Sequence, residues 1–202
     1  MYLVKTPAIV QRLLPGFTWR VPTADNVLYL TFDDGPIPGV TPWVLDTLGS
    51  AGARATFFCV GENVQRHPQI FQRITEEGHS VGNHTHNHLN GWKTNISDYL
   101  QNVQSCAEHV PGNLFRPPYG RILSEQAQAL RKNYRIVMWD VLSGDFDRNL
   151  RPEKCLEHII RHSRPGSIVV LHDSLKAEPN LRYALPRLLE YFSEKNWRFE
   201  CL

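Results

Sequence analysis

Val27-Leu28-Tyr29-Leu30-Thr31-Phe32 runs directly into Asp33-Asp34-Gly35-Pro36. The first six residues are apolar, aromatic or β-branched. Asp25-Asn26 before them and the Asp-Asp-Gly-Pro after them are turn formers, so the segment reads as a buried strand feeding a turn. Two acids therefore stand at the C-terminal end of a strand. Thr41-Pro42 then offers a hydroxyl cap followed by proline at the first helical position, and Trp43, Val44, Leu45 and Leu48 supply an apolar stripe before Gly52. The order is strand, then helix.

The same alternation extends outward. Strands are expected over residues 55–60, 80–81, 134–140, 168–171 and 197–201, with a short one at Leu114-Phe115. Helices are expected over 68–77, 96–109, 124–132, 152–162 and 181–194; in the second of these Ile96, Tyr99, Leu100, Val103 and Ala107 recur at helical spacing. Residues 36–42 and 175–180 read as exposed loops. Repeated alternation of this kind predicts an α/β fold on a parallel sheet, whose working residues lie just beyond the C-terminal ends of the strands.

At 202 residues with 42% hydrophobic content, the chain is expected to form one domain with a sizeable core, a core unit over about 27–200 preceded by an extension over 1–26. A formal charge of +2, with basic and acidic residues interspersed, leaves no footprint for nucleic acid. The four cysteines are far apart and form no CxxC pair, which favours reduced, buried thiols. Lys5, Pro7, Gln11, Arg12 and Pro15 interrupt the apolar N-terminal stretch, so neither a transmembrane segment nor a signal-peptide core is expected, and a cytoplasmic location follows as an expectation.

The unusual polar residues fall at the strand ends. Adjacent residues leaving a strand point in different directions, so one of Asp33 and Asp34 can bind a metal while the other faces a substrate; taken alone, the pair is equally good turn chemistry. His84-Thr85-His86-Asn87-His88 places two imidazoles four residues apart, a spacing that on a helical turn lets both reach one cation, with His86 pointing elsewhere. Asp34, His84 and His88 form the two-histidine, one-carboxylate set that leaves coordination positions open for water and substrate. Arg116-Pro117-Pro118-Tyr119-Gly120 is a stiff turn able to aim a backbone N–H at developing negative charge while Arg116 pairs with a carboxylate. His172, at another strand end and among acid-rich loops, has the surroundings of a general acid whose pKa a carboxylate raises.

Five segments in this order resemble the polysaccharide deacetylase family (the NodB homology domain, carbohydrate esterase family 4): TFDDGP at residues 31–36, HTHNH at 84–88, RPPYG at 116–120, 140–146, and VVLHD at 169–173. The resemblance implies a distorted, incomplete (β/α) barrel with a groove across its top. It implies Asp33 as general base, Asp34, His84 and His88 as metal ligands, and His172 as general acid. Arg116 would hold Asp33, Asp145 would hold His172, and the Tyr119 N–H would join the metal at the oxyanion. Tyr119, Phe146 and Leu171 would contact substrate, Leu171 lining the pocket for the acetyl methyl. The implied cofactor is a divalent metal, zinc first and other divalent ions second, and the implied partner is an N-acetylated amino-sugar glycan such as peptidoglycan or a chitin oligosaccharide. Two residues depart from the family pattern: Phe146 stands where tryptophan is usual, and Leu89 follows the histidine motif where proline is common.

The leading expectation is thus a metal-dependent hydrolase that removes N-acetyl groups from an N-acetylglucosamine-containing glycan. Two others stand beside it: a related amidase or deformylase on another small amide or lipid-linked amino sugar, and an inactive member that binds carbohydrate without cleaving it.

Overall fold

A computed structural model describes residues 2–202. The opening stretch forms β1 (Val27–Asp33), an inner strand of a sheet whose order is β5-β4-β3-β2-β1-β7-β6, with β8 (Arg198–Phe199) pairing β1 beside it. The others are β2 (Thr56–Cys59), β3 (Ser80–Asn83), β4 (Leu114–Phe115), β5 (Arg135–Ile136), β6 (Val141–Leu142) and β7 (Ile168–His172). Every named pair is parallel. The sheet curls into an incomplete (β/α) barrel. Among the described residues no helix is long and apolar enough to cross a membrane.

Residues 134–140 read as one strand in the sequence, but the structure breaks the run. β5 and β6 are the two outer strands of the sheet, yet only residues 137–140 separate them in sequence, so this short segment crosses the open side of the barrel. Its carbonyls do not complete a ladder: Arg116 Nε donates to Val137 O at 3.3 Å and Arg116 Nη2 to Met138 O at 3.0 Å. A buried guanidinium takes the acceptors that a neighbouring strand would otherwise satisfy.

The helices are α1 (Ala8–Leu13), α2 (Thr41–Ser50), α3 (Gly61–Arg66), α4 (Pro68–Glu76), α5 (Ile96–Ala107), α6 (Ser124–Leu130), α7 (Pro152–His162) and α8 (Glu178–Ser193). The short α3 is not legible in the sequence. α5 is capped by Asn95, whose side chain accepts from the Asp98 N–H at 2.9 Å. The Thr41 hydroxyl, expected to cap α2, instead donates to Asp173 Oδ2 at 2.6 Å, and Val40 is the cap residue. Residues 175–180 are not a loop throughout: α8 already starts at Glu178, and Asn180 is buried.

β1, β2 and β7 carry Leu28, Leu30, Phe32, Phe57 and Leu171 into a core closed by α2, α7 and α8. Each such side chain contributes roughly 1.5–3 kcal/mol when taken fully out of water. All four cysteines are free thiols; Cys59, Cys106 and Cys155 are buried, and burial pushes the Cys106 thiol up to about 12. The N-terminal stretch is stitched to the barrel: Lys5 bridges Val141, Thr18 bridges Val137, and Lys5 Nζ lies 2.9 Å from the buried Asp140.

Candidate active site

Register decides which side chains meet. On β1 and β7, Asp33 pairs with His172, Phe32 with Leu171, and Thr31 with Val170. Side chains alternate along a strand, so Asp33, His172, Thr31 and Val170 share one face while Phe32 and Leu171 point to the other. The expectation for Leu171 is therefore corrected: it is fully buried in the core, and Val170 lines the groove instead, beside its register partner Leu142. The groove has a volume of about 890 Å³ and receives Asp33, Asp34, His84, His88, Tyr119 and His172.

Asp33 is held from below. Arg116 Nη1 lies 2.6 Å from its Oδ1 and also donates to Thr31 Oγ1 at 2.7 Å, while the guanidinium carbon stands 4.1 Å from the centre of the Phe58 ring. Arg116 is fully buried, and every contact made by its fork is directional, so Asp33 has little freedom to turn. Burial draws the guanidinium pKa down despite the charge of Asp33.

Asp34 leaves the strand the other way. Its Oδ1 lies 3.2 Å from His88 Nε2 and 3.9 Å from His84 Nε2, and one donor atom from each of the three residues falls within 4.8 Å of the others. His84 and His88 are not on a helical turn, as their spacing suggested. They sit in the loop after β3, where Thr85 (φ 64°) and His88 itself (φ 54°) take left-handed backbone conformations that bring the two rings to 5.1 Å. Asp34 (φ 87°) and Tyr119 (φ 61°) share this conformation. Such geometry costs about 1–3 kcal/mol per residue and persists only where the surroundings enforce it.

The enforcing contacts are visible. Asn63 of α3 donates to Asp34 O at 2.8 Å, Asp173 Oδ1 accepts from the Gly35 N–H at 3.0 Å, and Asn83 Oδ1 accepts from the Thr85 N–H at 2.9 Å. Asn102 of α5 accepts from the N–H groups of His86 and Asn87. Asn63 and Asn102 are not legible in the sequence, since a lone asparagine on a helix carries no signal. Asp173 lay in the VVLHD motif without a role. Burial, with the nearby Asp34 charge, pushes its pKa up to about 8 even though Thr41 and Gly35 donate to it.

The three donors suit a metal. His84 Nδ1 lies 2.7 Å from Arg116 O, so that nitrogen carries the proton and Nε2 keeps its lone pair facing Asp34. Burial lowers the His84 pKa to about 4, outweighing the attraction of Asp33, so the ring is neutral near pH 7. His88 Nδ1 is similarly occupied by the Tyr119 hydroxyl at 3.1 Å. Burial works against ionisation of Asp34, but the hydrogen bond from His88 and then the charge of His172 overcome it and hold the carboxyl well below the usual range. Two imidazoles and a carboxylate are a borderline-soft set appropriate to zinc. His86 turns away towards His109, with ring centres 5.7 Å apart.

Across the groove, His172 Nδ1 lies 2.8 Å from Asp145 Oδ1, and the other carboxylate oxygen accepts from the His172 backbone N–H at 2.7 Å. Burial opposes protonation of this imidazole. The charge and hydrogen bond of Asp145, with Asp34 and Asp33 beyond, win and push its pKa up to about 9. Asn180 fixes the Asp145 loop by donating to Asp145 O at 3.0 Å and Asp147 O at 3.1 Å. Phe146 packs edge-on to His172 at 5.2 Å. Asp140 is not at the site; its carboxylate binds Lys5, Ser167 and the Ile168 N–H beneath the sheet.

Comparisons with known proteins agree with this geometry. A family profile described as polysaccharide deacetylase matches residues 20–137. A peptidoglycan-N-acetylglucosamine deacetylase of Bacillus cereus is 35% identical over 191 residues, covering 90% of this chain and 89% of the relative. A chitooligosaccharide deacetylase of Azorhizobium caulinodans is 35% identical over 166 residues, covering 78% and 79%. A solved peptidoglycan N-acetylglucosamine deacetylase, in complex with a naphthalenyl N-oxidanyl-benzamide, superposes with a TM-score of 0.86 at 30% identity, over 98% of this chain and 95% of that one. With its strand order, its groove and its motif residues in place, the chain belongs to the polysaccharide deacetylase family.

Proposed function

We propose that this protein hydrolyses the N-acetyl amide of N-acetylglucosamine units in a glycan, releasing acetate and a free amine, with a divalent metal held by Asp34, His84 and His88. One observation carries the reading: the three-ligand cluster lies in a single groove between an Arg116-held carboxylate and an Asp145-held imidazole whose protonation is favoured. A divalent cation there, zinc being best matched to the donors, would acidify water and polarise the amide carbonyl.

The chain's own residues supply the rest. Asp33, fixed by Arg116, is placed to take a proton from the attacking water. Negative charge grows on the former carbonyl oxygen, and the Tyr119 N–H, in its left-handed turn, is the donor assigned to it. His172 begins protonated and gives its proton to the departing nitrogen, so that acetate and amine separate. Asp145 keeps the ring oriented throughout.

Leu142 and Val170, paired in register and both lining the groove, favour acetyl over formyl, because a formyl group has no methyl to fill that apolar wall. The relatives named for peptidoglycan and chitooligosaccharides support the glycan class. Acetate release from N-acetylglucosamine oligomers and from peptidoglycan fragments by zinc-loaded protein tests the reading. Acetate from either class supports it; none from either, with metal bound, overturns it.

A further inference from the structure

The N-terminal stretch contributes to the groove as well as to stability. Leu142 N–H donates to Val4 O at 2.8 Å and Thr6 N–H to Asp140 O at 3.0 Å, so residues 4–6 cover the exposed edge of β6. This covering places Tyr2 and Leu3 at the groove, beside the general-acid side of the site. The Tyr2 ring packs tilted against Phe146 with centres 5.1 Å apart, and its hydroxyl donates to Asp147 Oδ2 at 3.2 Å. Gly144, in a left-handed conformation (φ 81°), makes the room: a Cβ there would fall 2.7 Å from the Tyr2 hydroxyl oxygen. Phe146 in turn packs edge-on to His172. The result is a two-ring platform, half-buried on both members, running outward from His172.

Building on the glycan-deacetylase reading, we propose that Tyr2 and Phe146 form a stacking subsite for the hexopyranose ring next to the acetylated one, with Tyr2 as a specificity-determining residue supplied by the N-terminal segment. A pyranose presents a face of C–H groups, weakly positive and apolar, that matches the negative face of an aromatic ring. The platform is continuous with the groove that holds the acetyl amide, so a chain threaded through the site reaches it with its neighbouring sugar. The Tyr2 hydroxyl is taken by Asp147, which leaves the ring itself as the contact for the sugar.

Binding to the inactive Asp33→Asn protein, measured by tryptophan fluorescence with N-acetylglucosamine dimer and tetramer, tests this separately from turnover. Adding Tyr2→Ala is expected to weaken tetramer affinity about tenfold and dimer affinity less, while Tyr2→Phe, which keeps the ring, stays within about twofold. In the active protein, Tyr2→Ala should raise KM for the tetramer by a similar factor with kcat within about twofold. If Tyr2→Ala folds poorly, Tyr2→Leu gives the same comparison. Unchanged tetramer affinity overturns the subsite, as does a shifted pH–rate profile with unchanged affinity, which would mean that Tyr2 acts through His172. Tyr2-dependent tetramer binding without acetate release by the wild type would leave the subsite standing and overturn the activity.

Discussion

Asp33 and His172 are register partners on adjacent parallel strands, and the Asp173 N–H donates to Asp33 O at 3.1 Å across the same joint. The proposed base and acid are therefore set apart by the spacing of two strands, and no flexible loop intervenes between them. Each carries its own buried support, Arg116 for one and Asp145 for the other. The chemistry is thereby divided: one group is held to accept a proton and the other to give one.

Asp145→Asn should move the basic limb of the kcat profile to lower pH. The Asp145 carboxylate is the main group raising the His172 pKa to about 9, and activity falls once that imidazole loses its proton. The same pair has a stability signature in metal-free protein. The folded pKa of His172 lies above its unfolded value of about 6.5, so its stabilising contribution is complete below that pH and is lost as pH rises through about 9. Urea melts across that window should show the decline in wild type and a flatter profile in the variant.

Arg116→Met should destabilise the fold by about 3–5 kcal/mol, because it leaves Asp33 buried without its cation and strips the donors from Val137 O and Met138 O. Chemical denaturation measures this loss. Turnover should fall as well, with metal content retained under native conditions, since Asp34, His84 and His88 keep their side chains.

Leu171 and Val170 should separate cleanly. Leu171→Ala removes a fully buried core side chain and should cost about 2–5 kcal/mol with little change in acyl preference. Val170→Ala should cost less stability yet widen the wall beside Leu142, raising activity on propionyl relative to acetyl substrates. Unfolding curves and acyl-group competition assays read the two effects.

The motifs and the strand–helix alternation were legible because they rest on local chemistry: apolar runs, turn formers, capping residues and clustered ligands. The errors have the same origin in reverse. Residues 137–140 carry a strand-like sequence, but the carbonyls of Val137 and Met138 accept from Arg116, a residue distant in sequence. The histidine pair suggested a helical turn because spacing alone cannot reveal the left-handed residues Thr85 and His88. Leu171 drew attention through its motif, although the alternation of β7, counted back from His172, points to Val170. Asn63, Asn102 and Asn180 hold site loops from helices, and nothing local distinguishes them from surface asparagines.

His84→Ala should lose both metal and activity, because it removes one of the three donors of the cluster and unpairs the Arg116 carbonyl. Metal analysis of the purified variant checks it.

The most direct measurement follows acetate and free amine released from an N-acetylglucosamine tetramer by wild type and Asp33→Asn at equal zinc content. The wild type is expected to release acetate and amine in equal amounts, and the variant, still holding its zinc, to release none above background. No release by the zinc-loaded wild type, or release by Asp33→Asn at the wild-type rate, would contradict the proposed mechanism.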